Sequence, residues 1–242
     1  MKGIILAGGY GTRLKPCTSV TNKHLLPVYD KPMIYYPIET LIKGGIKDIM
    51  ILTGNEHAGD FINLLGNGKE FGVNLTYKTQ SGAGGIAEAL SLCRDFVGKE
   101  PMVVILGDNI FVDDIKEYVD EYKEDHNNAV IFLKEVPDPE RFGVATVHEG
   151  VVINIKEKPS LTTSNLAVTG LYFFNSGVWH IIENLVPSQR GELEITDVNN
   201  WYIKNGIMKH KIVKGFWSDS GQIESLYKSA RYIRSLRMKK ED

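Results

Sequence analysis

Short apolar runs alternate with helical patterns along the first half of this chain, and that rhythm admits few folds. Lys2–Ala7, Asp48–Thr53, Val73–Lys78, Met102–Gly107 and Ala129–Lys134 read as strands. Between them, Pro32–Gly44, Glu56–Leu65, Gly84–Asp95 and Asp113–Asp125 carry helical spacing. Met102–Gly107 is apolar along its length, the pattern of a strand covered on both faces. Strand–helix alternation of this kind predicts an α/β fold with a mainly parallel sheet flanked by helices. Pro37 is expected to loosen the first turns of its helix.

The second half changes rhythm. Gly143–Val147, Val151–Lys156 and Val168–Phe174 follow closely, and Glu149-Gly150 between the first two is a hairpin signal. An antiparallel segment grafted on the parallel sheet is predicted. Helices are expected at Ser176–Leu185, Glu194–Asn205 and Gln222–Leu236, with a late strand at Ile207–Val213. No repeat or linker interrupts the 242 residues, which read as a single domain.

Charge and cysteine content exclude several classes. Lys+Arg number 28 against 30 Asp+Glu, a formal net charge of -2, so the basic excess of a nucleic-acid binder is absent. A phosphate ligand must be held by local charge. Cys17 and Cys93 are the two cysteines, too few for a disulfide scaffold or a zinc ribbon. No apolar run approaches the roughly 18 residues of a membrane span. The apolar stretch near Met1 is shorter than a signal-peptide core of roughly 7–15 residues, so the cytoplasm is the expected compartment. On the last helix, Leu226, Ala230 and Ile233 form a packing face. Lys228, Arg231, Arg234 and Arg237, followed by Lys239 and Lys240, read as a solvated one.

The strongest motif is Leu6-Ala7-Gly8-Gly9-Tyr10-Gly11-Thr12-Arg13-Leu14, directly after the first strand. Ligands of open parallel sheets bind at the carboxyl ends of strands, and glycines free backbone N–H groups to face phosphate oxygens. The Walker pattern fails, because Thr12-Arg13 stands where Lys-Ser or Lys-Thr is required. The dinucleotide pattern fails at Leu14, where a glycine is required. Arg13 and Lys23 supply a planar fork and a point charge for phosphate. Asp108, at the tip of an apolar strand, suits a Mg²⁺ ligand and equally a turn or a helix cap. Gln80 carries a donor and an acceptor for a base edge, or is simply a polar loop residue. Glu157-Lys158 reads as a sugar and phosphate contact, or as a surface ion pair before Pro159. Asp113 and Asp114 read as helix-start residues.

Further blocks accompany the glycine loop in order along nearly the whole chain. They are Tyr29–Tyr36, Leu106–Phe111, Asp138–Val144, Glu157–Pro159, Val168–Tyr172, Arg190–Asp197 and Phe216–Gly221. Together they resemble the sugar-1-phosphate nucleotidylyltransferases, most closely those that act on thymidine nucleotides and glucose 1-phosphate. The resemblance implies a Rossmann-like α/β fold. It implies Mg²⁺-dependent transfer of a thymidylyl group from dTTP to α-D-glucose 1-phosphate, giving dTDP-glucose and pyrophosphate.

The resemblance also implies roles for individual residues. Arg13, Lys23 and Lys158 are catalytic. Gly8, Gly9, Gly11, Thr12, Arg13, Lys23, Gln80, Gly85 and Asp108 hold the nucleotide. Asn109, Gly143, Glu157, Lys158, Val168 and Tyr172 hold the sugar. Asp108 and Asp219 hold the metal, and Asn109 orders the metal loop. Arg190 adds charge near the phosphates or merely shapes its loop. The chain then divides into a nucleotide half (about 1–135), a sugar half (about 136–220) and a C-terminal helix (221–242). Thymine and uracil share a pairing edge, so a uridylyltransferase using UTP is the first rival, and a non-catalytic nucleotide-sugar sensor the second. A glycosyltransferase is disfavoured, because Asp108-Asn109-Ile110 lacks Asp-x-Asp.

Three departures from the family pattern stand out. Asp219-Ser220-Gly221 replaces the more usual Asp-Thr-Gly and keeps a hydroxyl. His24 stands where glutamine is common, and near phosphates it would make affinity pH-dependent or be a bystander. Longer relatives carry extra C-terminal helices for a regulatory site and tetramer contacts, so both are in doubt here and a homodimer is expected.

Overall fold

In the computed structural model, which describes residues 1–241, the strand runs form the centre of the molecule. Among the described residues there are thirteen strands: β1 (Lys2–Ala7), β2 (Pro27–Val28), β3 (Lys31–Pro32), β4 (Asp48–Gly54), β5 (Asn74–Gln80), β6 (Met102–Leu106), β7 (Ile110–Phe111), β8 (Ala129–Glu135), β9 (Gly143–His148), β10 (Val151–Glu157), β11 (Leu166–Phe174), β12 (Met208–Ile212) and β13 (Trp217–Ser218). The helices are α1 (Tyr35–Lys43), α2 (Ala58–Leu65), α3 (Ile86–Ser91), α4 (Arg94–Val97), α5 (Lys116–Glu124), α6 (Val178–Glu183), α7 (Ile195–Lys204) and α8 (Ile223–Glu241). Nine strands make one sheet, with β2–β3 and β7–β13 as separate two-residue ribbons.

The sheet is parallel where the chain alternates strand and helix. β6, β1, β4 and β5 run side by side in one direction. β11 then enters antiparallel to β6, β8 and β9. It is a forked strand: Leu171–Phe174 pair with β6, while Ala167 pairs with Val144 of β9. Its register slips between Val168 and Tyr172. The fork divides the sheet into a parallel wing and an antiparallel β9–β10 wing, and the gap beside the slip becomes the site.

The period of two along each strand sorts side chains to opposite faces. Ile4, Leu6, Met102 and Val104 enter one core with Leu90, Trp179 and Tyr202. Ile5, Ala7, Val103 and Ile105 enter the other with Ile38, Phe61 and Val119. Each buried aliphatic side chain is worth about 1.5–3 kcal/mol. A third, smaller cluster packs Ile233 of α8 on Val28 and Met33.

Several expected elements moved at their ends. Gly84–Asp95 is two short helices, α3 and α4, because the Cys93 N–H bonds back to the Leu90 carbonyl at 2.9 Å and tightens the turn. Pro37 lies in the first turn of α1, where a missing N–H is harmless. Asp114, just before α5, accepts the Lys116 N–H at 2.8 Å, while Asp113 accepts the Lys214 N–H at 2.9 Å. The Glu149-Gly150 hairpin is present, both residues having positive φ. Lys228, Arg231, Arg234 and Lys239 of α8 are exposed, and Arg237 pairs with Asp30 at 3.1 Å. The side chain of Lys240 and residue 242 lie outside the described residues. No helix among the described residues is long and apolar enough to cross a membrane.

Candidate active site

The carboxyl end of β1 delivers the glycine loop to the rim of the sheet. Glycine is required there because other side chains already fill the space. A Cβ at Gly8 would lie 2.5 Å from Gln80 Cδ, and one at Gly11 would lie 2.8 Å from Lys23 Cβ. Gly11 also has φ +64°, a left-handed value that disfavours other residues. Leu14, fully buried, anchors the single helical turn Thr12–Leu14 below the loop. Arg13 is exposed over the cavity, and its guanidinium approaches Gly221.

Lys23 is set by its own small cap. Asn22 Oδ1 accepts the His24 backbone N–H at 2.9 Å and lies 2.7 Å from His24 Nδ1. Lys23 Nζ then donates to Asp108 Oδ2 at 2.5 Å. Burial opposes ionisation of Asp108, yet the adjacent Lys23 charge and the hydrogen bonds hold its pKa below the ordinary carboxylate value. His24 is 1 % exposed, and burial, with the Lys23 charge beside it, lowers its pKa to about 3. It therefore stays neutral through the physiological range, which favours the bystander reading of this ring over a pH-sensitive one at the phosphates.

The β7–β13 ribbon joins what sequence spacing could not. Ser218 pairs with Ile110 and Trp217 with Phe111, so the segment bearing Asp219 lies beside the segment bearing Asp108. Burial and the negative charge of Asp108 push the pKa of Asp219 above the ordinary carboxylate value, against the pull of Arg141 and Arg13. Arg141 Nη2 donates to both Asp219 oxygens, at 3.1 and 2.9 Å. Asn109 braces the junction: its Nδ2 donates to Asp108 Oδ1 at 2.9 Å. Its Oδ1 accepts from Gly170 N at 2.9 Å and Trp217 Nε1 at 2.7 Å. Two carboxylates that repel each other across one cavity, each already paired with a cation, are a donor set suited to a divalent ion shared with phosphate oxygens.

The opposite wall comes from the antiparallel wing. Glu157 ends β10 and accepts from Thr196 Oγ1 at 2.6 Å. Lys158 follows in a left-handed conformation, φ +41°, with Nζ 3.6 Å from Glu157 Oε1. A non-glycine residue held there is strained, a condition that gathers at functional sites. Tyr172 is buried, and burial together with the Glu157 and Asp108 charges raises its phenol pKa. Arg190 donates through Nη2 to both Glu194 oxygens at 2.8 and 2.7 Å, with Glu192 at 3.2 Å and Glu157 at 3.6 Å. Its charge is spent among the carboxylates of this wall.

One cavity of about 340 Å³ joins these walls. Gly8, Gly9, Arg13, Lys23, Gln80, Gly85, Asp108, Asn109, Gly143, Glu157, Lys158, Val168, Tyr172, Arg190 and Asp219 all line it. Gly11 and Thr12 stand outside that lining: Gly11 shapes the turn and Thr12 is exposed. Loops from the two halves are tied together, since Leu193 N–H donates to the Gly84 carbonyl at 2.7 Å and Ala87 N–H to the Leu193 carbonyl at 3.1 Å. Gly85 sits in this knot with φ +100°, and a Cβ there would lie 2.4 Å from the Leu193 oxygen. Arg141, Thr169, Glu194, Thr196, Asn199 and Trp217 also line the cavity. Residue-by-residue reading missed them. Most fall inside the conspicuous sequence blocks, but Asn199 lies beyond them and carried no signal.

A family model described as nucleotidyl transferase matches residues 2–235. The chain belongs to the nucleotidyl transferase family. Among its relatives, a glucose-1-phosphate thymidylyltransferase of Neisseria meningitidis is 42 % identical over 240 residues, covering 98 % of this chain and 83 % of the relative. One of Xanthomonas campestris pv. campestris is 45 % identical over 245 residues, covering 98 % and 82 %. A solved Bacillus anthracis structure, provisionally named glucose-1-phosphate thymidylyltransferase and in complex with a sucrose, superposes with TM-score 0.93 at 54 % identity, covering 97 % of this chain and 95 % of its own. A UDP-glucose pyrophosphorylase complexed with UDP-glucose superposes with TM-score 0.83 at 26 % identity, covering 97 % and 98 %. The α/β architecture expected from the strand–helix rhythm is thus the architecture of this nucleotidyltransferase family.

Proposed function

We propose that this chain transfers a thymidylyl group from dTTP to α-D-glucose 1-phosphate, releasing pyrophosphate and forming dTDP-glucose. The observation that carries the reading is a single cavity with the glycine loop, Arg13 and Lys23 on one wall and Glu157, Lys158 and Tyr172 on the other, the two acidic residues between them. The named relatives at 42 and 45 % identity support the same substrates.

The attacking sugar phosphate is already anionic, so no general base is needed. The obstacle is the approach of two anions and the charge that grows on the leaving group. Positioning and electrostatics then supply the acceleration. Arg13 and the loop amides neutralise the pyrophosphate, Lys23 the α-phosphate region, and Lys158 orients the sugar phosphate for in-line attack on the α-phosphorus. Gln80 and Gly85 accept the base, and Asn109, Gly143, Glu157, Val168 and Tyr172 the sugar. Asp108 and Asp219 would hold Mg²⁺, which supplies positive charge to phosphate oxygens when bound. In this reading the chain is one domain with a nucleotide half and a sugar half. It works in the cytoplasm, as a homodimer that sedimentation would test.

The deciding experiment is pyrophosphate release across a grid of nucleoside triphosphates and sugar 1-phosphates. The expected maximum is dTTP with glucose 1-phosphate. A maximum with UTP would establish the uridylyl reading, which the pyrophosphorylase likeness keeps in play. No release with any pair would overturn the enzymatic reading.

A further inference from the structure

Five of the described residues hold buried side-chain polar atoms without a hydrogen-bond partner: Tyr122, Arg141, Thr169, Asn199 and Tyr202. Three of these, Arg141, Thr169 and Asn199, line the cavity. Asn199 is the most demanding case, because both its amide oxygen and its amide nitrogen are unpartnered. A buried amide in that state is costly, and native structures keep one only where something repays it. The next residue shows the ordinary structural use of the same side chain. Asn200 Nδ2 donates to the Ile155 carbonyl at 2.8 Å, and its Oδ1 accepts the Ile155 N–H at 2.9 Å. Asn199 makes no such bonds.

Asn199 lies on α7 three residues after Thr196, whose hydroxyl is bonded to Glu157. That spacing puts both side chains on one helix face, and both line the cavity together with Glu157 and Tyr172. A cation here would grip phosphate whatever sugar carried it, and a carboxylate would repel it. A neutral amide presents a donor and an acceptor side by side, which matches the hydroxyls of a pyranose.

We propose that Asn199 is a specificity residue for the sugar, its amide completing its hydrogen bonds on a hydroxyl of the bound sugar 1-phosphate. The proposal rests on the sugar-phosphate reading above. Contact needs the side chain to turn toward the cavity as the sugar enters, a rotamer change of the kind common at binding surfaces.

Asn199→Leu keeps the volume and removes both polar atoms. Pyrophosphate release gives KM for glucose 1-phosphate and for dTTP separately. The expected result is a rise of about tenfold or more for the sugar phosphate, with dTTP unchanged and the ligand-free protein melting no lower than wild type. The decisive arm repeats the comparison with 2-, 3-, 4- and 6-deoxyglucose 1-phosphates. The penalty should vanish for the analogue lacking the hydroxyl that Asn199 reads. An unchanged KM, or an equal rise for glucose 1-phosphate and every deoxy analogue, overturns the proposal. If Asn199→Leu fails to fold, Asn199→Ala, which removes both polar atoms without adding bulk or charge, is read by the same criteria. Wild-type protein that turns over no sugar 1-phosphate overturns the substrate reading instead, and the proposal with it.

Discussion

Lys158 carries a positive charge on a strained backbone, beside a carboxylate that does not fully claim it. Its side chain is nearly half exposed, so it contributes little to the fold. Lys158→Ala should lower kcat/KM by about 10²–10³, the usual effect of losing one transition-state donor. Thermal unfolding should move by no more than a degree or two. Steady-state pyrophosphate release beside a melting curve separates the two effects, and an active Lys158→Ala enzyme would remove the lysine from the mechanism. His24 leads to a prediction of the opposite kind, on stability. Its folded pKa of about 3 lies below the ordinary histidine value of 6.5, so between those values the unfolded chain binds a proton that the folded chain refuses. Stability therefore falls as pH drops below 6.5. His24→Gln should flatten that slope, measured as urea midpoints at pH 7 and pH 5. A slope as steep as that of the wild type would show that the ring is protonated in the folded protein.

At the scale of elements, the slip in β11 builds the centre of the site. Gly170 stands in it, and a Cβ there would lie 2.7 Å from the Asn109 amide atoms. Gly170→Ala should displace Asn109, break its bonds to Asp108 and Trp217, and cost about 1–3 kcal/mol as overpacking. Urea unfolding measures the cost, and an unchanged midpoint would show that Asn109 yields freely. The strands were readable because burial on both faces leaves continuous apolar runs, as in Met102–Leu106. The break between α3 and α4 was not, because a local i→i−3 bond at Cys93 decides it and leaves no change in periodicity. The approach of Asp219 to Asp108 was unreadable from spacing for a similar reason. It depends on a ribbon only two residues wide, too short for any pattern, and only the family resemblance suggested it. The pairing of Arg141 with Asp219 had no signal of its own beyond its place in the Asp138–Val144 block.

Across the whole molecule, the two acidic residues sit at the junction of the parallel and antiparallel wings, and each is already paired with a cation. Lys23 holds Asp108 and Arg141 holds Asp219, so the junction closes on internal charge. Removing one member of a buried pair strands the other, at about 3–5 kcal/mol. Removing a divalent ion strands nothing, because both cations remain in place. Chelation should therefore abolish turnover while leaving the melting temperature of the ligand-free protein unmoved. Lys23→Met should lower that temperature even when metal is plentiful, since Asp108 then lies buried without its partner. Adding dTTP with Mg²⁺ should raise it, by about 2.7 kcal/mol of stability at a hundred times Kd, and dTTP with chelator by less. Calorimetry on these samples beside the untreated wild type reads the stability changes together, and pyrophosphate release reads the loss of turnover. A ligand-free protein that loses stability on chelation would mean that the metal, and not the lysine and arginine, holds the two wings of the sheet against each other.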